Sequence, residues 1–414
     1  MKETLSIIGL GKLGLCTAAC FAKAGLPVLG MDIRTEYVAG LAAGNIPFHE
    51  PGLGEILAKT KENLNYTTSI EDVTAGSSAS FIIVPTPSEP DGAFSNEYIL
   101  NVLQVLGPLL AKKSSFHIVN IVSTVMPGSC RDVFIPLLEN LSGKKAGHDF
   151  GIAYNPEFIA IGSAIENFLN PDLVLIGESD ERTGDKLEEI YTKTCSNSPY
   201  MARTSLINAE ITKLALNCYC TMKISFANNL ASVCDTIPGS DAGRVCEILG
   251  QDSRIGEKYI KPGLGFGGPC FPRDNEAFIR FVEKQNGFSG LQQAVIKINN
   301  TQPKRFAEKI ARAANKYGPK VTLLGLAYKP NTYLTERSQA LDIANYLVSH
   351  YPHLQIKAYD PLARENGPWE QTETLEDCVT GANVAAILTP WRDFQSSEWQ
   401  TFLGSPSTVI NFWD

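Results

Sequence analysis

Leu5-Ser6-Ile7-Ile8-Gly9-Leu10-Gly11-Lys12-Leu13-Gly14, followed by a helical stretch to Ala24 and a second apolar run from Val28 to Asp32, decides the fold of this chain. The order strand, glycine turn, helix, strand is a βαβ unit, and the glycine spacing is that of a dinucleotide-binding turn. Gly9 permits the tight turn, Gly11 lets a pyrophosphate approach the backbone, and Gly14 lets the helix pack closely on the strand. The helix N-terminus then faces the phosphates with its unpaired N–H groups. Asp32 closes the second strand eighteen residues after Gly14, where a carboxylate binds a ribose 2′-hydroxyl and repels a 2′-phosphate. That acid favours NAD over NADP; Arg34, two residues on, is the one contrary signal.

Outward from this unit, strand-like runs recur at Phe81–Val84, Phe116–Val122, Ile152–Tyr154 and Leu173–Ile176, with helical patterns between several of them. Alternating β and α patterns predict a doubly wound parallel sheet over residues 1 to about 200, with ligands beyond the carboxyl ends of its strands. Thr86 and Thr124 stand at two such ends, placed either to meet a ligand or simply to cap their loops. From Ser205 to Ile237 there is no proline and no glycine, which predicts a helix of about 30 residues, roughly 45 Å long. Lys213 and Asn217 lie one turn apart on it, amid Ile211, Leu214, Ala215 and Leu216. On the helix pattern alone Lys213 reads as snorkelling to water, the alternative being a lysine held in a site. A second α/β pattern begins at Lys320, with strands at Val321–Leu324, Gln355–Tyr359, Val384–Leu388 and Thr408–Ile410. The expected architecture is α/β, two Rossmann-like doubly wound domains joined by a long central helix, divided at residues 1–200, 201–300 and 301–414.

The 414 residues exceed one hydrophobic core, and 44% hydrophobic with 19% charged residues describes an ordinary globular protein. A net charge of −8 argues against a nucleic-acid or anionic-membrane partner. The ten cysteines lack the spacing of a disulfide framework, no Cys-x-x-Cys pair suggests zinc, and the five histidines are scattered. Met1-Lys2-Glu3-Thr4 runs directly into a strand without leader features, and no apolar run reaches the roughly 18 residues of a membrane span. The cytoplasm is the expected compartment.

Residues 263–274, Gly-Leu-Gly-Phe-Gly-Gly-Pro-Cys-Phe-Pro-Arg-Asp, place Cys270 in a glycine-dense turn four residues before Asp274. Here the four glycines are expected to clear room for a substrate to approach the backbone, and the prolines to stiffen the loop. Cys270 is the candidate nucleophile, because catalytic thiols sit in partly exposed, polar surroundings. Cys16 and Cys20, on one helical face, read as packing residues.

Together these segments resemble the UDP-glucose/GDP-mannose dehydrogenase family of nucleotide-sugar 6-dehydrogenases over essentially the entire chain. Residues 265–274 nearly match the family's cysteine motif, with Arg273 where the family has lysine; Ser123-Thr124-Val125-Met126-Pro127-Gly128, Asn155-Pro156-Glu157-Phe158, Ala209-Glu210-Ile211-Thr212-Lys213, Asp252-Ser253-Arg254-Ile255-Gly256 and Gly325-Leu326-Ala327-Tyr328-Lys329 are similar to it as well. The resemblance implies an enzyme that oxidises a sugar C6 alcohol to a carboxylate by two hydride transfers to NAD, through a thiohemiacetal and a thioester on Cys270. It implies that Lys213 stabilises the oxyanion, that Asp274, Glu157 and Thr124 position or activate water, and that Asn217 orients the intermediate. Gly9, Gly11, Leu13, Gly14, Asp32, Thr86, Thr124 and Arg273 fall at cofactor positions. Glu157, Phe158, Lys213, Asn217, Tyr259, Lys261, Gly263, Gly267 and Lys329 fall at positions for the nucleotide-sugar, and Arg254 would reach the substrate of a neighbouring subunit, which implies a homodimer built on the central helix.

Four departures bear on the substrate. Ile161 stands where the family usually has Glu, Asn229 replaces a glutamate, Tyr333-Leu334-Thr335-Glu336-Arg337-Ser338 replaces Asp-Asp-x-Arg-Glu-Ser, and Trp413 takes the place of a terminal substrate-binding arginine. A UDP-glucose-like substrate is the leading expectation. Another UDP-, TDP- or GDP-sugar, a nucleotide-sugar-binding paralogue without turnover, and a single-step hydroxyacid dehydrogenase are the alternatives.

Overall fold

The computed structural model describes residues 4–413; Met1, Lys2, Glu3 and Asp414, part of the readings of the two termini, lie outside them. Among the described residues the strands are β1 (Leu5–Ile8), β2 (Val28–Met31), β3 (Leu64–Thr67), β4 (Ala79–Ile82), β5 (Ile118–Ile121), β6 (Gly151–Tyr154), β7 (Leu173–Glu178), β8 (Tyr200–Ser205), β9 (Lys320–Leu324), β10 (Gln355–Tyr359), β11 (Glu370–Gln371), β12 (Val384–Ile387) and β13 (Thr408–Asn411). The chain divides into two compact units, Met1–Leu214 and Ala215–Asp414.

In the first unit eight strands form one sheet in the order β3-β2-β1-β4-β5-β6-β7-β8. The strands β1, β4, β5 and β6 are buried at every residue, as strands with helices on both faces must be. Alternation sorts their side chains: Leu5, Ile7, Phe81 and Ile118 join one core, and Ile8, Ile82, Val119 and Ile121 join the core on the opposite face. The expected all-parallel sheet is corrected at one place. The strands β6 and β7 pair antiparallel, Ala153 with Glu178 and Tyr154 with Gly177, a change of direction that the residue types of the two runs do not announce.

The second unit carries a five-stranded parallel sheet, β11-β10-β9-β12-β13, around a core including Val321, Leu323, Ile343, Ala358 and Ala386. The long helix is present as Leu206–Cys234, 29 residues, and the boundary between the units falls inside it. Two further helices, Phe271–Lys284 and Gly290–Tyr317, follow in the second unit. The fold is thus two Rossmann-like domains and a central helix. Among the described residues no helix is long and apolar enough to cross a membrane, and no cluster of His, Cys, Asp and Glu is arranged to hold a metal ion.

Candidate active site

The glycine turn of the first unit divides the labour as its spacing predicts. Gly9 has φ +99°, and a Cβ there would lie 2.2 Å from the carbonyl oxygen of Ile83; a Cβ on Gly14 would lie 1.9 Å from the carbonyl oxygen of Gly9. A Cβ on Gly11 would meet nothing within 4 Å, so this glycine keeps open space in front of the turn. The helix Lys12–Lys23 begins at Gly11 without a side-chain cap, which suits its first N–H groups to an anion. Just past β2, Asp32 accepts from the Leu10 amide at 3.1 Å, while the Arg34 guanidinium takes both of its oxygens at 2.8 and 2.9 Å. Burial opposes the charge on Asp32, but the hydrogen bonds from Arg34 and Leu10 outweigh it and hold the carboxyl below its ordinary range. The open Gly11, the uncapped helix and a buried, ionised acid fit a dinucleotide. Leu13 lies partly buried in the first turn of that helix, and Thr86 and Thr124 are partly exposed after β4 and β5. Ser123 ties these two loops together, accepting from the Val84 amide at 2.9 Å and donating to the Val84 carbonyl at 2.7 Å.

Beyond β6 the chain gathers Glu157, Phe158 and Lys213. Lys213 is only 7% exposed; its ammonium donates to the Glu157 carbonyl at 2.7 Å and lies 4.6 Å from the centre of the Phe158 ring. It does not snorkel to water, so the reading from helix pattern alone is overturned: the carbonyl and the ring supply the partners that let the cation stay inside. The Tyr191 hydroxyl lies 2.6 Å from Asn155 Oδ1 and 2.9 Å from Glu157 Oε1. Burial pushes Glu157 up to about 7, against the pull of that hydroxyl and of Lys213, which poises a carboxyl for proton transfer near neutrality. Sequence reasoning missed the residue that steadies this loop. Glu50, 6% exposed, accepts from the amides of Gly162 at 2.7 Å and Ala164 at 2.6 Å, and no local pattern signals a contact across more than a hundred residues.

In the second unit Cys270 is the N-cap of the helix Phe271–Lys284 and is exposed, whereas Cys16, Cys20, Cys130, Cys218, Cys220, Cys246 and Cys378 are buried. Burial raises the thiol of Cys20 to about 12 and that of Cys378 to about 11, values that keep them protonated. A thiol at a helix N-terminus sits where the dipole favours a thiolate. One turn in, Asp274 is 4% exposed, its amide donating to the Cys270 carbonyl at 2.9 Å and its carboxylate accepting from Asn217 Nδ2 at 2.5 Å.

The glycines of this loop work differently from expectation. A Cβ on Gly263 would touch the Trp413 ring at 3.2 Å, on Gly265 would lie 2.3 Å from Asn299 Oδ1, on Gly267 would lie 2.3 Å from the Arg337 carbonyl oxygen, and on Gly268 would lie 2.5 Å from the Tyr328 ring. The space is filled by the protein itself. The glycines let the thiol loop lie directly on its neighbours, with Gly268 donating to the Glu336 carbonyl at 3.0 Å and Asn299 bonding both ways to Phe266 at 2.8 and 3.0 Å.

Lys261 and Trp413 share a cavity of about 330 Å³ with Trp391, Phe394, Gln395 and Asn411. Trp413 donates its indole N–H inward to the Leu388 carbonyl at 3.1 Å, which leaves its ring to serve as wall. Tyr259 adopts φ +67°, and the Lys329 ammonium lies 5.9 Å from the Tyr328 ring. Arg254 stands apart, its side chain 86% exposed and paired with Asp252 at 2.6 Å. Arg273 is partly buried in the first turn after Cys270, in the second unit, whereas the other cofactor candidates lie in the first. Asn229 is exposed on the long helix, and nothing in the structure explains its substitution.

Family models for the NAD binding domain, the central domain and the UDP binding domain of UDP-glucose/GDP-mannose dehydrogenases match residues 3–195, 207–301 and 322–412. The chain belongs to that family. It is 36% identical to the UDP-glucose 6-dehydrogenase AglM of Haloferax volcanii, over 94% of this chain and 92% of the relative. Among solved structures it resembles a UDP-glucose dehydrogenase of Pyrobaculum islandicum, with TM-score 0.87 and 31% identity over 100% of this chain and 95% of that one. It also resembles a UDP-D-ManNAc dehydrogenase of Pyrococcus horikoshii, with TM-score 0.82 and 25% identity over 99% of both. This family member is an NAD-dependent oxidoreductase that carries out 6-dehydrogenation of a nucleotide-sugar.

Proposed function

We propose that the substrate is a UDP-glucose-like nucleotide-sugar and that its C6 alcohol is carried through four electrons to the uronic acid on Cys270. The carrying observation is the exposed thiol at a helix N-terminus with Asp274 one turn in, fixed by Asn217. NAD, held by the turn at Gly9, Gly11, Leu13 and Gly14 and by Asp32, Thr86, Thr124 and Arg273, supplies the acceptor for one hydride in each of two oxidations. Loss of hydride from C6 and of the hydroxyl proton gives the aldehyde. The Cys270 thiolate adds to that carbonyl, forming the C–S bond and an oxyanion, which we assign to Lys213. Loss of the second hydride leaves a thioester; water, positioned by Asp274, Glu157 and Thr124, breaks the C–S bond and returns the thiolate with the acid. Glu157, near its midpoint at neutral pH, is suited to hold the proton taken from that water.

Substrate grip is assigned to Glu157, Phe158, Lys213, Asn217, Tyr259, Lys261 and Lys329 and to the backbone groups of Gly263 and Gly267, whose Cβ sides are taken by Trp413 and Arg337, with the base in the cavity that Lys261 and Trp413 line. The working division is 1–200 for NAD, 201–300 for the thiol loop and dimerisation, and 301–414 for the nucleotide-sugar. Tyr219, Phe226 and Val233 recur every seven residues on the long helix and are 59%, 54% and 49% exposed. Such a stripe supports a homodimer, across which Arg254 would reach the partner's substrate; the compartment is inferred to be the cytoplasm.

Purified protein incubated with NAD and a panel of UDP-, TDP- and GDP-sugars tests the reading. Two NADH per acid formed are expected, and Cys270→Ala is expected to abolish acid while leaving NAD affinity within threefold. One NADH per sugar with free aldehyde or ketone would exclude the thioester route in favour of single-step oxidation, and binding without NADH would mark a paralogue that has lost turnover.

A further inference from the structure

Glu210 is completely buried, and the reaction above gives it no role. Its two oxygens accept from the amides of Gly128 at 2.6 Å and Cys130 at 2.8 Å. Those amides open the helical segment Cys130–Phe134, which continues as Ile135–Ser142. A helix start is ordinarily satisfied by a Ser, Thr, Asp or Asn at its own N-cap. Ser129 stands between the two amides with helical angles, φ −58° and ψ −44°, and accepts from Asn96 at 3.2 Å; a serine cap serves amides two or three residues on, so it could not serve these two. The two amides are met instead by a buried carboxylate from eighty residues away, although burying a charge costs more than burying a hydroxyl. Satisfying a helix terminus does not require that arrangement.

What it achieves is a grip on the loop Ser123–Gly128, which carries Thr124. Ser123 holds one end of that loop to Val84, and Glu210 holds the other at Gly128, whose φ of +100° fixes the sharp exit. Three residues after Glu210, on the same helical face, Lys213 donates to the Glu157 carbonyl at 2.7 Å. A single turn of helix thus grasps both loops of the first unit that carry reacting groups.

We infer that Glu210 is a positioning residue of the dehydrogenation, the fixed half of a crossbar that sets Thr124 against Lys213 and Glu157. The inference rests on the roles proposed for those three residues. Wild-type NADH stoichiometry tests the roles, and the variants below test the crossbar.

Glu210→Gln keeps the shape but turns an amide N–H₂ toward one of the two backbone donors. The expected result is a kcat lowered roughly 10- to 100-fold, the scale of an ångström of misplacement, with the nucleotide-sugar KM within threefold of wild type. The primary isotope effect on kcat with C6-dideuterated substrate should fall, because hydrolysis of the thioester, for which Thr124 and Glu157 position water, becomes the slower step. Glu210→Asp retains the carboxylate and should recover part of the loss; if the glutamine variant does not fold, the same three readouts on the aspartate variant decide. A kcat within threefold of wild type with an unchanged isotope effect, even at a lowered melting temperature, overturns the inference, as does parallel loss of kcat and nucleotide-sugar affinity.

Discussion

Gly267→Ala tests whether the glycines of the thiol loop serve contact with the protein. The new methyl would start 2.3 Å from the carbonyl oxygen of Arg337 and 3.2 Å from its carbonyl carbon. A carbon and a carbonyl oxygen settle at about 3.3 Å or more, so the gap must open by roughly 1 Å. Neither side is a flexible tip. The obstruction is backbone, Arg337 is held at φ +50° and is clamped by Glu276 at 2.6 and 3.2 Å, and Gly268 is bonded to the neighbouring Glu336 carbonyl. The shift is therefore passed along the loop, which reaches Cys270 three residues later. A reacting group misplaced by ~1 Å costs on the order of 100-fold in rate, about 2.7 kcal/mol of transition-state stabilisation. The assay is kcat for acid formation beside an NAD titration and a thermal melt, with Gly76→Ala, whose Cβ meets nothing within 4 Å, as control. Gly267→Ala should lower kcat by that factor and leave NAD affinity within threefold, and the control should leave both unchanged. A Gly267→Ala kcat within threefold of wild type would falsify the reasoning and return the glycines to their first reading, as room for substrate.

Two further outcomes follow from particular side chains. Glu157 is raised to about 7 from an ordinary 4.5, so between those pH values the folded chain holds a proton that the unfolded chain has lost, and this group's contribution to stability falls as pH rises through that window. In Glu157→Gln the drop in melting temperature from pH 5 to pH 8 should be smaller than in wild type, and the limb of the kcat profile near pH 7 should vanish; a variant that tracks wild type at every pH removes the buried carboxyl from the mechanism. Trp413→Arg would replace the ring lying on Gly263 and set a cation in the cavity beside Lys261, and it should shift KM unequally across UDP-glucose, its N-acetylated analogues and GDP-mannose. If every KM stayed within about twofold, roughly 0.4 kcal/mol, the terminal strand would not contact the substrate.

The parts legible in the sequence are those whose physics is local. The turn at Gly9 and the helix after it are set by residues a few positions apart, as is the long helix without proline or glycine. The strands β3 and β8 escaped notice because Leu64–Thr67 and Tyr200–Ser205 are mostly only half-buried and lack the apolar run that marks a buried strand. The glycines at 263–268 announce that something comes close, but what comes close is Trp413, Asn299, Arg337 and Tyr328, separated by dozens of residues or more. Glu50 and Glu210 are harder still. Each is one acid in an ordinary helical or loop context, and its meaning lies in two amides elsewhere in the chain.

Two sheets of one design nevertheless differ in what they can hold, and the difference rests on a few atoms. Asp360 ends β10 as Asp32 ends β2, and Gly325-Leu326-Ala327 follows β9 as Gly9-Leu10-Gly11 follows β1. Asp360 is fully buried and accepts from Leu326, Ala327, Leu362 and Ala363 amides at 2.8 to 3.0 Å and from the Trp391 indole at 3.2 Å. A ribose could bind that acid only by stranding buried backbone donors, at a cost of about 1–3 kcal/mol for each. Around Asp32 the donor that must yield is Arg34, whose side chain is 55% exposed and finds water as it leaves. The turns differ in the same sense, since Gly11 fronts open space and Ala327, 1% exposed, puts a methyl into packed surroundings. A dinucleotide is therefore accepted by the first sheet and refused at the corresponding corner of the second. The nucleotide of the sugar, which we propose the second unit holds, is then assigned away from that corner, to the cavity that Lys261 and Trp413 line.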